Sequence, residues 1–478
     1  MAVLENLEPK SVFGFFEQMS AIPHGSGNTK AVSDWMVSFA KERGLEYYQD
    51  ELNNIIIIKE ATPGYESADA LIIQGHMDMV CEKAPDCQKD MAVEGLDLAI
   101  DGDMVYAKGT TLGGDDGIAV AMGLALLDAD DIEHPRLELV VTVDEETGMY
   151  GAIGLDVTPL KGHRLLNIDS EDEGVFTVSC AGGNISRCHL PLVRAPFEGE
   201  ALTITVDGLQ GGHSGIEINK GRGNANMVMG RVLSAVFKKT DMRLIAVNGG
   251  QKDNAITCSC VASVLVTDVE AVRAVCSEME EELKAEYIVT DPAVRVTVTA
   301  GEKALAMDET TTARAVCMLT CLPSGVQVMS ADIEGLVQTS LNLGILTTDE
   351  NEMLASFCVR SSMESQKAMM VDRLENLMKQ LGGTVDVMGS YPGWAYQQES
   401  PLRDLLVEVY TEQYGKAPKV EAIHAGVECG MFVGKRPDLD CVSIGPDLRN
   451  VHTPRERMYI GSVQRTWKML LEVLKRMK

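Results

Sequence analysis

Basic charge is scarce in this chain. Its 42 Lys and Arg stand against 71 Asp and Glu, a formal net charge of −29. Nucleic acid and anionic membrane both require a basic surface, so neither is expected as a partner. Long apolar runs are missing too, and no stretch reaches the uncharged length that spans a bilayer. The opening MAVLENLEPKSVFGFF carries acidic residues where a signal peptide has a basic segment, and it has no long apolar core. The expectation is mature sequence in the cytoplasm. Also absent is any C-x-x-C pair. The twelve cysteines are scattered from Cys81 to Cys441, several beside apolar residues, as Cys358 is between Phe357 and Val359. That pattern suits reduced, buried thiols in a reducing compartment, not a disulfide scaffold or a zinc ribbon.

What is present is a long, soluble, globular sequence. With 478 residues, 45% apolar and 24% charged, it exceeds one ordinary core, so two domains are the default. Residues 71–80, LIIQGHMDMV, set the theme. The apolar run Leu71-Ile72-Ile73 suits a buried strand. It stops at Gly75 and is followed by His76 and Asp78, which point to the same side of an extended chain. Three more element ends carry similar residues. The loop 109–117 brings Asp115 and Asp116 to the start of a nearly all-apolar helix, 118–127. A strand over 137–143 ends in Asp144-Glu145-Glu146, and a strand over 165–168 ends in Asp169. Strands alternating with helices indicate an α/β architecture with a mostly parallel sheet, whose ligands collect at the carboxyl ends of the strands.

After Gly183 the texture changes. The expected order is strand (201–207), helix (223–239), strand (243–248), strand (257–266), helix (268–286), strand (293–299), the split β-α-β order of a ferredoxin-like unit. Residues 308–389 read as helix, two strands, helix, strand: a second copy whose first strand is shared or lost. From residue 391 the first texture returns. Asn28 or Thr29 is a cap signal for an early helix, and Ser400 with Pro401 for the helix 402–414. The sequence therefore predicts a catalytic domain in two parts, 1–184 and 389–478, with an inserted α+β lid domain of ferredoxin-like units over 185–388.

Taken singly, each polar end has a plain reading. His76-x-Asp78 serves as a polar loop as well as a ligand pair. Asp144-Glu145-Glu146 reads as a solvated acidic turn, Asp115-Asp116 as charge favoured by a helix dipole, and His452 as a surface histidine before Pro454. Jointly they suggest more. If His76, Asp115, Glu146, Asp169 and His452 converge, two histidines and three carboxylates suit two zinc-like ions. Two such ions can share a bridging carboxylate and a bridging water whose pKa they lower, and a carboxylate that is not a ligand must take its proton. Glu145, beside Glu146, suits that task.

At this point the chain resembles the co-catalytic zinc peptidases that include carnosinase, carboxypeptidase G and peptidase T. The motifs that carry the resemblance are GHMDMV (75–80), LGGDDG (112–117), DEETG (144–148), NIDSED (167–172), GGHSG (211–215) and the His452 loop, in order over most of the chain. IPHGSGN (22–28), GRGNAN (221–226) and IHAGVECG (423–430) narrow it to the bacterial cytosolic non-specific dipeptidases, also called aminoacyl-histidine dipeptidases. The resemblance implies that His76, Asp115 and Asp169 hold one ion and that Asp115, Glu146 and His452 hold the other, with Asp115 bridging. It implies that Asp78 steadies His76, that Glu145 is the general base, and that His213 donates to the tetrahedral oxyanion. Asn254 becomes a lid residue near the substrate, and Arg360 a bidentate grip on the substrate carboxylate. Read from the residues alone, Arg360 is equally a structural ion pair and Gly211-Gly212-His213 a loop. One departure stands out: the bridging loop has Gly114-Asp115-Asp116 where Ala-Asp-Asn is expected, and the extra charge at Asp116 bears on metal preference.

The expected activity is hydrolysis of dipeptides with a free amine by a metal-bridging hydroxide, under a lid that limits substrate size. The ions are zinc, or one is exchangeable for cobalt or manganese. A homodimer is implied by the resemblance alone. N-acyl amino acid deacylation and tripeptide cleavage are the alternatives within the same chemistry. A non-catalytic metal-binding protein is the alternative outside it, and Glu145 speaks against that, since storage needs no base.

Overall fold

The computed structural model describes residues 3–478. The chain forms two compact units. One comprises the residues up to Ser179 with Tyr396–Ala422 and Val427–Lys478, and the other Cys180–Ala395 with Ile423–Gly426.

The first unit is built on an eight-stranded sheet. Its strands lie in the order Glu46–Gln49, Ile55–Lys59, Leu137–Thr142, Leu71–His76, Arg164–Asn167, Asp440–Ser443, Val175–Cys180, Lys419–Ile423. The four central strands, from Leu137–Thr142 to Asp440–Ser443, run parallel. Antiparallel strands flank them, so the parallel character is confined to the centre. Burial explains that choice. Every residue of Leu71–His76 and of Leu137–Thr142 is buried, as a parallel strand covered on both faces must be.

The helix Gly114–Asp128 is apolar all round and buried from Ile118 to Leu127. It packs on the Leu71–His76 strand and against the helix Lys10–Ser20. Gly123 allows the close approach, because a Cβ there would lie 2.3 Å from Leu139 Cδ1. The helical span starts at Gly114, but Asp115 and Asp116 have non-helical backbone angles, so both lie in a kinked entry turn ahead of the regular helix that the apolar pattern predicts. Of the cap signals, Ser400 works as expected, accepting from Arg403 N. Thr29 occupies the cap of the helix Lys30–Glu42 without a side-chain hydrogen bond, and the Asn28 amide donates elsewhere, to Ala92 O (3.0 Å).

The second unit carries a nine-stranded sheet in which two ferredoxin-like halves lie side by side. In the first half Arg295–Ala300, Glu200–Asp207, Cys260–Val266 and Met242–Gly249 are neighbours in that order, with the helices Ala225–Phe237 and Val269–Glu286 between them in sequence. In the second, Val337–Thr348, Glu352–Ser361, Gly182–Pro191 and Thr384–Tyr391 follow, with the helices Glu309–Cys321 and Glu364–Leu381. The first strand of this second half is therefore neither shared nor lost. It is Gly182–Pro191, which precedes the whole first half in the chain and pairs along its length with Glu352–Ser361. Sequence order hides it, because about 160 residues separate the partners. One apolar core runs through both halves, from Leu202 and Val232 to Phe357 and Leu374.

Candidate functional site

In the first unit, polar side chains gather at the carboxyl ends of the parallel strands. His76 closes the strand Leu71–His76, and Asp169 follows Arg164–Asn167 by two residues. Glu145 and Glu146 follow Leu137–Thr142, while Asp115 comes from the entry turn of the Gly114–Asp128 helix. His76 Nε2 lies 3.3 Å from Asp115 Oδ1 and 3.5 Å from Asp169 Oδ1. His452 Nε2 lies 3.1 Å from Asp115 Oδ2 and 2.9 Å from Glu146 Oε1. Asp115 thus touches both imidazoles. Two overlapping groups have ligand atoms within 4.8 Å of one another: His76, Asp115 and Glu146, and His76, Asp116 and Asp169. Asp116 is the addition. It is buried, and its Oδ2 accepts the His76 N–H at 3.2 Å.

The electrostatics of this cluster are those of excess negative charge. Burial opposes charge on His76, but the carboxylates of Asp115, Asp169 and Asp78 outweigh it and raise its pKa well above the usual imidazole range. Hydrogen bonds that Asp115 and Glu146 accept from its ring push His452 up to about 11. Burial, with Asp169, Glu428 and Glu146 nearby, pushes Glu145 up to about 9. A site that draws protons onto two imidazoles and one carboxyl has the surplus that divalent cations neutralise. Oxygen and imidazole donors of this kind fit zinc, cobalt or manganese.

Supporting contacts reach further than the motifs suggest. His76 Nδ1 meets the Asp78 carbonyl oxygen at 2.9 Å, and the Asp78 carboxylate only at 3.5 Å. The backbone thus makes the shorter bond to this imidazole. The Asp78 carboxylate is occupied by Ser26 Oγ (2.7 Å) and Glu145 N (3.1 Å), tying the GHMD and DEETG segments together. Below the ligands lies a buried polar layer. Asn167 donates to Gln74 Oε1 (2.7 Å), and Gln74 Nε2 and Thr142 Oγ1 both donate to Glu428 Oε2 (2.5 and 2.7 Å). Gln74 and Asn167 stand two residues before His76 and Asp169, on the same faces of their strands. Period two could have flagged them. Glu428 sits inside the quoted IHAGVECG motif, yet nothing in its spacing reveals that it is fully buried.

The second unit holds the remaining predicted residues. His213 lies on the short strand Gly212–His213, paired with Ala255–Ile256, and Ser214 N donates to Asn254 O (2.9 Å), so Asn254 adjoins it. His213 Nδ1 accepts from the N–H groups of Gly215 and Ile216 (3.2 and 3.3 Å). An Nδ1 that accepts leaves the proton on Nε2. Burial and the Arg360 charge lower the His213 pKa, keeping it neutral. Arg360 is buried on the strand Glu352–Ser361. Its Nη1 reaches the Tyr391 hydroxyl at 3.4 Å, and its Nε has no hydrogen-bond partner. No carboxylate pairs with it among the described residues, which removes the structural ion pair as its explanation. Arg360, Asn254 and Tyr391 line a cavity of about 450 Å³. His424, which the sequence reading left without a role, is buried beside them. Its Nε2 accepts from Ser340 Oγ at 2.7 Å, and burial, then Arg360 and His213, depress its pKa to about 3.

Parallel strands ending in a dense carboxylate–imidazole cluster, joined to a second unit of ferredoxin-like halves, define a metallohydrolase architecture. The chain belongs to the peptidase family M20/M25/M40, whose description it matches over residues 72–476. It is 37% identical to the cytosol non-specific dipeptidase of Escherichia coli (strain K12), over 99% of each chain. It superposes on the aminoacylhistidine dipeptidase from Vibrio alginolyticus with a TM-score of 0.95 at 34% identity, covering 99% of this chain and 97% of that one. A tripeptidase from Staphylococcus aureus shares the fold at 16% identity, with a TM-score of 0.55 and 98% and 99% coverage. Among the described residues, no helix is long and apolar enough to cross a membrane.

Proposed function

We propose that the protein is a dimetal dipeptidase that cleaves the single peptide bond of substrates with a free amine. The observation that carries this reading is the convergence of His76, Asp115, Glu146, Asp169 and His452 within one unit, with Glu145 among them. His76, Asp115 and Asp169 would hold one divalent ion and Asp115, Glu146 and His452 the other, with zinc the expected metal and cobalt or manganese exchangeable. Such a pair supplies an acidified water as nucleophile and Lewis-acid stabilisation of the oxyanion.

The protein groups do the rest. Glu145 takes the proton of the attacking water and returns it to the leaving amine nitrogen. Asp78, through Glu145 N and the His76 segment, fixes base and ligand in one frame. His213, with its proton on Nε2, is a neutral donor for the tetrahedral oxyanion. The guanidinium of Arg360 grips the C-terminal carboxylate, and Asn254 contacts the substrate beside it. The two-part catalytic domain, the lid inserted over residues 185–388, a homodimer and a cytoplasmic location belong to the same reading.

The test is hydrolysis of a dipeptide panel, Ala-His and β-Ala-His included, by metal-free protein before and after zinc or manganese is added. An N-acetylated amino acid and a tripeptide run alongside. Metal-dependent cleavage confined to free-amine dipeptides is expected. Preference for the acetylated substrate would make the protein a deacylase, and preference for the longer peptide a tripeptidase. Two bound ions without any cleavage would make it a metal-binding protein.

A further inference from the structure

Glu456 lies four residues beyond His452 on the same loop. Of residues 450–456 it alone is buried, at 2% exposure, and it forms no ion pair among the described residues. Its carboxylate points at the start of the helix Gly114–Asp128. Oε2 accepts from Leu112 N (2.7 Å) and Gly113 N (3.2 Å), and Oε1 from Gly114 N (2.8 Å) and Asp115 N (3.4 Å). Donors at a helix start have no carbonyl of their own helix to meet, and the helix dipole favours an anion there. Gly113, at φ +66°, turns the four N–H groups toward one point. The fourth belongs to Asp115, whose side chain touches both His76 and His452.

One carboxylate therefore straps together the two loops that carry Asp115 and His452. The His452 loop connects the paired strands Leu448–Arg449 and Arg457–Tyr459, which hold its two ends, and between them Glu456 is the side chain that reaches the start of the helix. Asn450 and His452 both adopt positive φ, and the His452 side chain is 47% exposed. Inside the loop, Thr453 Oγ1 donates to Asn450 O and Glu456 N to Thr453 O. Those bonds shape it without anchoring it to the helix.

We propose that Glu456 is a positioning residue that sets the spacing of Asp115 and His452. By doing so it controls affinity for the ion held by Asp115, Glu146 and His452, two of whose ligands it positions, while the ion held by His76, Asp115 and Asp169, only one of whose ligands it positions, depends on it less. The inference rests on the dimetal reading above. Glutamine is the informative replacement. Glu456→Gln keeps the shape but turns an NH2 group toward N–H donors, so part of the strap is lost. Supporting contacts around metal ligands typically matter by about 10–100-fold in affinity or activity.

The experiment titrates metal-free wild type, Glu456→Gln and Glu456→Asp with zinc alone. Bound ions are counted by native mass spectrometry, and folding is checked by thermal unfolding. Wild type should take two ions. Glu456→Gln should take the first near the wild-type concentration and the second only at about 10–100-fold higher zinc, with kcat reduced and KM little changed. Glu456→Asp, which keeps the charge on a shorter stem, should fall between them. Wild-type affinity for both ions in Glu456→Gln, or equal weakening of both, overturns the proposal. If Glu456→Gln does not fold, two-ion affinity in Glu456→Asp equal to wild type overturns it instead. Fewer than two ions in wild type would count against the dimetal reading itself.

Discussion

The two units treat histidine in opposite ways. In the first, His76 and His452 stand among carboxylates that raise their pKa values. In the second, His213 and His424 stand near Arg360, and burial lowers theirs. The same side chain is thus drawn toward positive charge in one place and kept a neutral hydrogen-bonding group in the other. One cluster carries a surplus of carboxylate, and the other a buried arginine that no carboxylate pairs among the described residues.

Three substitutions probe this contrast. The largest effect should come from Glu145→Ala, which removes the proposed proton shuttle from the acidic unit and none of the proposed ligands. Turnover should fall by at least about 10²–10⁴-fold while two ions remain bound. Loss of metal together with activity would assign Glu145 to the ligand set instead. Next is Arg360→Gln in the second unit. Hydrogen bonds to charged groups are worth about 1.5–3 kcal/mol, so KM for free dipeptides should rise roughly 10–100-fold. A dipeptide amide, which lacks the carboxylate, should show little change. Equal losses on both substrates would remove the carboxylate grip from the account.

The last prediction tests the neutral imidazole through stability and leaves turnover aside. His424 has a folded pKa of about 3, below the unfolded value of 6.5. Its contribution is complete above pH 6.5. As pH falls below 6.5 the unfolded chain takes up a proton that the folded state refuses, and stability is lost by up to about 1.4 kcal/mol per pH unit. The loss continues until the pH nears 3. In His424→Gln that slope should vanish. Wild type minus variant, measured by denaturant unfolding, should be flat above pH 6.5 and decline below it. Parallel curves would mean that His424 is not held neutral.

Much of the first unit could be read from its chain. Apolar runs such as Leu71–Ile73 and Leu139–Val141 have the period and length of buried strands, and their polar ends announce themselves. Convergence was harder to see. Asp115 and His452 are 337 residues apart, and only the fold brings them to 3.1 Å. Asp116 looked like an extra charge in a loop, whereas it is buried against the His76 N–H. Glu456 and Glu428 look like ordinary acids. Their burial depends on backbone donors and amides from distant segments, which no local pattern records. The strand Gly182–Pro191 is hidden for a similar reason, since its partner arrives after an entire half-domain.

The strand Asp440–Ser443 lies between Arg164–Asn167, its parallel partner, and Val175–Cys180. It is made 276 residues after that partner, counting from Arg164 to Asp440, and His452 follows it. The candidate metal centre therefore cannot form before these residues are made: until then its sheet lacks one of the four parallel strands and its cluster lacks His452. Long-range pairing of this kind is slow to form. A chain stalled before residue 440 should hydrolyse no dipeptide, and hydrolysis by such a chain would show that the centre assembles without its last strand.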